Sequence, residues 1–94
     1  MRTIERASAF KRDYKRVKAT PRHHKDLDPL LAEILAVLLV DQALPDGSRD
    51  HALSGDWAGY RECHLKPDLL LIYRKPDPDT LRLARLGSHS ELFG

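Results

Sequence analysis

Residues 60–87, YRECHLKPDLLLIYRKPDPDTLRLARLG, contain three strand-like segments that are separated by two short turns containing proline and aspartate. The middle segment, Leu69 to Arg74, is apolar except at its end, which is typical of a strand at the centre of a sheet. Tyr60 to Leu65 alternates in the manner of a strand, and Thr80 to Leu86 forms the last strand. Because short turns join antiparallel neighbours, the three segments predict an antiparallel meander.

Two helices are predicted ahead of this meander, after a short first strand. Ser8 is a favourable N-cap for a helix over Ala9 to Lys18, which has one apolar stripe with basic residues around it. Asp28 can cap a second helix that runs to about Asp41 and is apolar on most sides, as expected for the helix packed most deeply on a sheet. The sequence therefore predicts a single α+β domain over residues 1–94, with two N-terminal helices packed on a mainly antiparallel sheet of about four or five strands.

Charge is distributed unevenly along the chain. Residues 1–25 contain nine Lys or Arg side chains against Glu5 and Asp13, whereas residues 26–94 contain seven basic and twelve acidic side chains. A concentrated basic segment favours a polyanion, because binding releases counterions from phosphates. An acidic protein partner could neutralise the same surface, and many basic helix faces are simply solvated. The candidates for contact with a polyanion such as RNA are the cations of the first helix, Lys11, Arg12, Lys15, Arg16 and Lys18.

The sequence shows no features of a membrane or exported protein. The apolar stretch Leu30 to Val40 is too short to cross a bilayer and contains Glu33. The first nineteen residues carry seven basic side chains and lack the apolar core of a signal peptide. The single cysteine, Cys63, excludes an internal disulfide, and its strand position predicts that it is buried and unreactive. We therefore expect a cytoplasmic protein with no membrane partner.

Three histidines, His51, His64 and His89, lie on or beside the strand-like segments of the C-terminal half. Histidine exchanges a proton at little cost near neutral pH, and arginines near them in the sequence can bind phosphate. Their spacing argues against a metal hydrolase, because there is no His-x-x-x-His motif and no second cysteine. The histidines suggest acid–base chemistry on a phosphodiester, while scattered surface histidines are the simpler alternative on composition alone.

A more specific signal comes from several ordered motifs between Asp50 and Gly94. The motifs are Asp50-His51-x-Leu53-x-Gly55-x-Trp57-x-Gly59-Tyr60-Arg61-x-x-His64, then Pro67-Asp68, then Leu71-Ile72-Tyr73, and finally Arg85-x-Gly87-x-His89-x-x-Leu92-Phe93-Gly94. Each is weak by itself, but their matched order and spacing strongly resemble the YafQ toxins. These toxins belong to the RelE/ParE superfamily of bacterial toxin–antitoxin systems, and the two predicted helices fit the same pattern.

The resemblance implies a RelE-like fold and an endoribonuclease that inhibits translation by cutting mRNA in the ribosomal A site. It also implies a cognate antitoxin of the DinJ/RelB type, which we expect to be acidic where it binds the toxin. The working residues that it implies here are His51, His64, Asp68, Arg85, His89 and Phe93. Leu69 departs from the family pattern, in which a tryptophan often follows the Pro-Asp pair. If that aromatic helps to hold RNA, this chain lacks one contact and differs in sequence preference.

The side chains themselves indicate how such a reaction would proceed. RNA is cleaved when its 2′-hydroxyl attacks the adjacent phosphorus, which requires a base, an acid for the 5′-oxygen and positive charge at the phosphorane, but no metal or cofactor. We prefer His51 or Asp68 as the base and His89 as the acid, although Asp68 could instead orient a histidine. Arg85 would donate two hydrogen bonds to phosphate oxygens, and Phe93 would stack on a base. The remaining histidine stays a candidate for either role.

Two other functions would keep the same fold. A ParE-like toxin would bind DNA gyrase and is not expected to need the histidine–aspartate set, whereas a non-catalytic protein would bind RNA or an antitoxin through the basic helix. Arg61 is a further candidate for contact with RNA, with an ion pair to a neighbouring acid as the alternative. Arg85 shares strand parity with Leu81 and Leu83, so a bulge or twist is needed to bring it onto an open face.

Overall fold

The computed structural model describes all 94 residues and contains three helices and five strands. No helix is both long enough and apolar enough to cross a membrane. Two single-turn 3₁₀ segments lie in the loops on either side of the second strand. In chain order the elements are β1 (Thr3–Arg6), α1 (Ser8–Ala19), α2 (Leu27–Leu39), β2 (His51–Ala52), β3 (Arg61–Lys66), β4 (Leu69–Arg74), β5 (Thr80–Gly87) and α3 (His89–Phe93).

The five strands form one mixed sheet in the order β1-β5-β4-β3-β2. The pairs β3–β4 and β4–β5 are antiparallel, which confirms the predicted meander. β1 adds a parallel edge strand, with Thr3 opposite Thr80 and Arg6 opposite Leu83. A parallel pair requires a long connection, and the chain supplies one because both long helices lie between β1 and the meander.

The two faces of the sheet are covered differently. Helices α1 and α2 cover the first face, which we call the helix face, and β4 lies at the centre with its residues from Leu69 to Tyr73 at most 2% exposed. The opposite face, here called the distal face, has a smaller apolar cluster of Leu70, Ile72, Ala84 and Leu92. The larger cluster on the helix face contains Phe10, Val17, Leu27, Leu31, Ile34, Leu38, Cys63, Leu69, Leu71, Tyr73, Leu81, Leu83 and Leu86.

Two predicted helix caps are wrong, and one helix is additional. The N-cap of α1 is Ala7 and makes no side-chain hydrogen bond, so Ser8 is the first helical residue. α2 begins one residue before Asp28, whose carboxylate accepts hydrogen bonds from Lys18 and Tyr14 of α1 instead of capping its own helix. The C-terminal segment forms the short helix α3, where the sequence pattern predicted no regular element.

A bulge in β5 sets the orientation of Arg85, one of the predicted site residues. Ile72 lies opposite Arg85, whereas the next residue, Tyr73, lies opposite Leu83, so Ala84 is an extra residue in the ladder. The extra residue reverses the alternation and places Arg85 on the distal face, although it shares simple parity with Leu83. The structure therefore contains the bulge that the sequence parity required.

Candidate functional site

A buried glutamate lies between two of the predicted histidines on the distal face. Glu62 is 5% exposed, and its Oε2 lies 3.5 Å from Nε2 of His51 on the neighbouring strand β2. Its other oxygen, Oε1, lies 3.5 Å from Nε2 of His64, two residues further along β3. The strand pairing explains this geometry, since His51 lies directly opposite Glu62 and the side chains of residues 62 and 64 point to the same face.

The loop before β2 fixes one tautomer of His51. Nδ1 of His51 lies 2.7 Å from the backbone oxygen of Arg49, and because a carbonyl only accepts, this nitrogen donates the hydrogen bond. Arg49 adopts the left-handed conformation with φ of 50°, which turns its carbonyl toward the histidine ring. Nε2 is thus the nitrogen that can gain or lose a proton without breaking the contact with the loop.

A cavity of about 400 Å³ opens beside His64. Its lining residues are Gly47, Arg49, His64, Leu65, Lys66 and Pro67, so the 3₁₀ loop and the β3–β4 turn form its walls. The largest groove of the molecule, of about 530 Å³, lies between α1 and α2 and contains none of the three predicted catalytic histidines. We place the candidate site beside His64 because His51, Glu62 and His64 lie together there, although the groove between α1 and α2 is larger.

Arg85 lies beyond the end of β1, where β5 is the edge of the sheet, and a carboxylate of α1 reaches it there. Nε of Arg85 donates to Oδ2 of Asp13 at 2.6 Å, and Nη2 donates to Oδ1 at 3.3 Å. The backbone N–H of Leu86 donates to the same Oδ2 at 3.0 Å, and Arg16 donates to Oδ1 at 2.8 Å. Burial opposes the ionisation of Asp13, yet these four hydrogen bonds lower its pKa below the ordinary aspartate value.

Helix α3 presents His89 and Phe93, whose ring centroids are 5.0 Å apart. A capping box begins the helix, because the Ser88 hydroxyl accepts from the N–H of Glu91 and the Glu91 carboxylate accepts from the N–H of Ser88. The other oxygen of Glu91 lies 3.0 Å from Nε of Arg16, which ties α3 to α1. The helix that carries two predicted site residues is therefore fixed at its first turn.

The pairing registers show how these groups are spaced across the distal face. Glu62 lies opposite Ile72, which in turn lies opposite Arg85. Since neighbouring strands are about 4.8 Å apart, the Cα atoms of Glu62 and Arg85 are about 10 Å apart. His64 has the same relationship to Gly87, from which the chain continues directly to His89. The face thus presents histidines and a carboxylate on one side, with an arginine and another histidine on the other.

Two predicted site residues lie away from this arrangement. Asp68 forms an ion pair with Arg22, with 2.8 Å between Oδ2 and Nη2, and makes no hydrogen bond to any histidine. Arg61 lies opposite Tyr73 on the helix side of the sheet and pairs with Asp50, to which Tyr73 also donates a hydrogen bond of 2.6 Å. The Asp50 carboxylate is the main cause that raises the pKa of Arg61. Arg61 therefore links the loop residue Asp50 to the sheet on the helix face, and not on the distal face that carries the histidines.

The five candidate cations of α1 fall into two groups. Arg16 donates to Asp13 and to the backbone oxygen of Leu86, and Lys18 pairs with Asp28 at 2.7 Å. The other three make no ion pair or side-chain hydrogen bond and are exposed on the helix surface: Lys11, Arg12 and Lys15. Only this second group is available to an external polyanion without disruption of an internal contact.

Two carboxylates that organise the site were not predicted from the sequence. Glu62 shares strand parity with His64, and this could have indicated that both face the same surface. Asp13 lies within the apolar stripe of α1, three residues after Phe10 and four before Val17, where a carboxylate must find a partner. His23, in the turn between α1 and α2, is 5% exposed, and its Nδ1 lies 3.0 Å from Nζ of Lys66.

The prediction that the single cysteine is buried is confirmed. Cys63 is fully buried, and burial raises the pKa of its thiol to about 12, so it does not act as a nucleophile. Trp57 and Tyr60 pack on the distal face with an edge-to-face contact of 5.2 Å between ring centroids. No group of three or more His, Cys, Asp or Glu side chains is arranged to hold a metal ion.

The fold and the site define a small α+β protein that carries a histidine–carboxylate–arginine surface on one face of its sheet. A protein-family model described as a bacterial toxin of type II toxin–antitoxin systems, YafQ, matches residues 2–94. The chain is 40% identical to the mRNA interferase toxin YafQ of Escherichia coli K12 over 95 residues, covering 99% of this chain and 97% of that protein.

Solved structures agree with this similarity. The toxin in the crystal structure of the E. coli DinJ–YafQ complex superposes with a TM-score of 0.83 at 36% identity, over the full length of both chains. A metal-bound toxin from Helicobacter pylori superposes with a TM-score of 0.85 at 46% identity, over 99% of this chain and all of that one. The chain belongs to the YafQ family of bacterial toxins of type II toxin–antitoxin systems.

Proposed function

We propose that this toxin is an endoribonuclease that cleaves mRNA in the ribosomal A site by metal-independent acid–base catalysis, thereby inhibiting translation. The observation that carries the proposal is the pair His51 and His64 on either side of buried Glu62, on the same sheet face as Arg85. The 40% identity to a toxin named an mRNA interferase supports the same activity.

The geometry suits attack by the 2′-hydroxyl on the adjacent phosphorus. A phosphate would lie between the histidine side of the distal face and Arg85, whose Nη1 makes no hydrogen bond within the protein. The guanidinium would neutralise charge that develops on the phosphorane oxygens. Phe93 is half-buried beside His89 and would stack on a nucleobase next to the cut.

The histidines on the two sides of the bound phosphate would act as base and acid. His51 is our preferred base, because its Nδ1 donates to Arg49 and leaves Nε2, which lies 3.5 Å from the Glu62 carboxylate, to take the 2′-hydroxyl proton. His89 on the other side would protonate the 5′-oxygen as it leaves. His64 would then lie beside the same Glu62 carboxylate as His51 and would assist His51. Asp68, the alternative base, would have to leave its ion pair with Arg22 to act.

The proposal also assigns partners. Ribosomal RNA would bind the exposed cations of α1, with Lys11 and Lys15 one helical turn apart on the same face. A cognate antitoxin of the DinJ/RelB type would bind the toxin, as DinJ binds the E. coli YafQ toxin, and would be acidic where it meets this basic surface. Translation would be the target, so the site of action would be the bacterial cytoplasm.

Cleavage of a defined mRNA by the purified toxin tests this function. The assay compares programmed ribosomes with free mRNA, in EDTA, for the wild type, His89→Ala and the matched control His24→Ala in an exposed turn. We expect ribosome-dependent cutting that survives EDTA, is abolished in His89→Ala and is retained in His24→Ala. A folded wild-type toxin that cuts no RNA would overturn the proposal and favour a toxin that only binds, such as one directed at gyrase.

A further inference from the structure

An unpaired arginine lies on the distal face at the end of β4. Arg74 makes no ion pair and no side-chain hydrogen bond. Its guanidinium carbon lies 5.6 Å from the centroid of the Tyr60 ring, which in turn packs edge-to-face on Trp57. A cation over an aromatic ring is stabilised by the ring quadrupole, so Arg74 is held in place while its charge remains unneutralised.

A second arginine lies directly opposite Arg74. Arg82 on β5 is its cross-strand partner, and like charges at directly opposed positions destabilise a sheet. Glu5 on β1 partly compensates, because its Oε1 accepts from Nε of Arg82 at 2.5 Å. The pKa of Arg82 is raised, mainly by Glu5 and to a smaller extent by Tyr60. Glu5 pairs with Arg82 alone, so the positive charge of Arg74 is not neutralised by any carboxylate.

This arginine pair lies next to the candidate site. Arg74 is two residues beyond Ile72 on β4, which corresponds to about 6.7 Å along the strand on the same face. Ile72 is the residue that lies opposite both Glu62 and Arg85. An RNA strand whose scissile phosphate contacts Arg85 can therefore bring its next phosphate to Arg74 and Arg82 without leaving the sheet face.

We propose that Arg74 and Arg82 form a second RNA subsite, which binds a phosphate adjacent to the scissile one. Binding supplies the missing negative charge between the opposed guanidinium groups. The half-buried Tyr60 ring supports Arg74 from below and fixes the direction in which its donors point. This inference rests on the proposed cleavage of RNA and adds to it the path that the strand follows away from the cut.

The first test compares Arg74→Gln with Lys75→Gln, which removes the same charge from the next residue. Lys75 pairs with Asp41 at 2.6 Å, away from the distal face, and serves as the matched control. In cleavage on programmed ribosomes we expect Arg74→Gln to raise KM about tenfold with kcat unchanged, as expected when a charge-assisted hydrogen bond to the substrate is removed. Its Tm should stay the same or rise, because the like-charge pair is relieved. A fall in Tm with unchanged KM would assign Arg74 a structural role and overturn the subsite.

A second test locates the phosphate. Once the cut is mapped, the phosphate on either side of it is replaced by a neutral methylphosphonate. At one of the two positions the KM of the wild type should rise about as much as it does in Arg74→Gln. Combining that methylphosphonate with Arg74→Gln should raise KM no further than either change alone. Independent, additive effects at both positions would overturn the assignment.

A binding measurement separates this inference from the proposed function. The Kd for a single-stranded RNA is measured against salt concentration in the His89→Ala background, so the RNA stays intact. Arg74→Gln should lower the salt slope by about 0.7, the value for one phosphate contact on a single strand, and Lys75→Gln should not. If the wild type binds RNA in this way but never cuts, only the proposed function fails. Equal slopes for the two variants would overturn the subsite even where cutting is observed.

Discussion

Asp13 of α1 and Arg85 of β5, which are 72 residues apart in sequence, form a nearly buried ion pair with 2.6 Å between Oδ2 and Nε. The Asp13 side chain is only 4% exposed, whereas that of Arg85 is 28% exposed. β1 ends before this part of β5, so the N–H of Leu86 is not paired by a strand, and Asp13 accepts from it instead. The Asp13 carboxylate therefore accepts the hydrogen bond that a neighbouring strand would otherwise accept at this edge. It also holds Arg85, the side chain that we propose binds the scissile phosphate.

This relationship predicts that Asp13→Asn impairs cleavage through Arg85. The asparagine keeps the shape but removes the charge that holds the guanidinium, so we expect kcat to fall about 10²-fold, the scale for misplacing a group by about 1 Å. Stability should fall by about 2 kcal/mol, less than for a fully buried pair because both arginines are partly exposed. Single-turnover cleavage and denaturant unfolding measure the two effects.

A double-mutant cycle distinguishes a role of Asp13 in positioning Arg85 from a general loss of structure. In an Arg85→Ala background, Asp13→Asn should cost little further activity, because the group that it positions is already absent. Additive effects of the two substitutions would show that Asp13 acts on the reaction by a route other than Arg85.

Acid unfolding should also depend on Asp13. Because its pKa is lower in the folded protein than in the unfolded chain, the stabilisation is fully present above the unfolded value of 3.8. It disappears as the pH falls through the lower folded value. We expect Asp13→Asn to flatten the dependence of unfolding free energy on pH below about pH 4, measured by denaturant titration at a series of pH values. An unchanged slope would contradict the assigned direction of the pKa shift.

Glu62→Gln tests the carboxylate between the two histidines. Glutamine keeps the length but not the charge, so His51 and His64 lose the anion toward which their Nε2 atoms point. We expect kcat to fall about tenfold with KM unchanged, a smaller decrease than the roughly 10²–10⁴-fold effect of removing an acid–base catalyst. Glu33→Gln, on the exposed surface of α2, is the charge-matched control. Full activity in Glu62→Gln would exclude a part in catalysis.

The two groups of helix cations should behave differently. Replacing Lys11, Arg12 and Lys15 by glutamine should weaken ribosome binding and lower its salt slope by about 0.7–0.9 for each phosphate interaction removed, with Tm unchanged. Replacing Arg16 and Lys18 should instead lower Tm, because these two make the internal ion pairs and hydrogen bonds. Filter binding over a salt series and thermal unfolding distinguish the groups, and an unchanged salt slope in the triple variant would exclude the helix as the docking surface.

Gly87→Ala should loosen the connection between the sheet and α3. A Cβ at Gly87 would lie 2.9 Å from Nη2 of Arg16 and 3.0 Å from Oε1 of Glu91, so these side chains must move. The clash meets only the ends of two flexible side chains, so the main cost is disturbance of their hydrogen bonds to Leu86 and Ser88. We expect the free energy of unfolding to fall by about 1 kcal/mol and cleavage to be reduced, since α3 carries His89 and Phe93. Gly47→Ala is the control, because nothing lies within 4 Å of its Cβ position. Equal stability of the two variants would contradict the role assigned to this close approach.

Much of the fold could be predicted because its signals are local. The apolar run of β4 indicates a central strand, and the bounds Leu69 to Arg74 agree with the structure. The helix pattern likewise located α1 and α2 to within two residues or so, although both caps were wrong. A cap depends on the path of the chain before the helix, and in both cases that path is set by tertiary contacts and not by the local preference of Ser8 or Asp28.

The histidines and arginines of the candidate site could be proposed from their motifs, but the side chains that they contact could not. His51 and His64 share Glu62 only because β2 pairs with β3 in a particular register, and one residue of slip would place them on different faces. Arg61 illustrates the same limit, since its motif position suggested an RNA contact while strand alternation placed it on the helix side with Asp50.

Local sequence was sufficient to specify the central strand, the meander, the two long helices and the basic character of the N-terminal segment. Hydrophobic periodicity and charge are properties of short stretches of sequence, so they can be read without the tertiary structure. Three other features required the assembled fold: β1 joins β5 in parallel, a bulge at Ala84 turns Arg85 to the distal face, and Asp13 holds it there. These features depend on register and packing between distant segments, and the free energies that select them come from interactions that form only when the whole sheet is assembled.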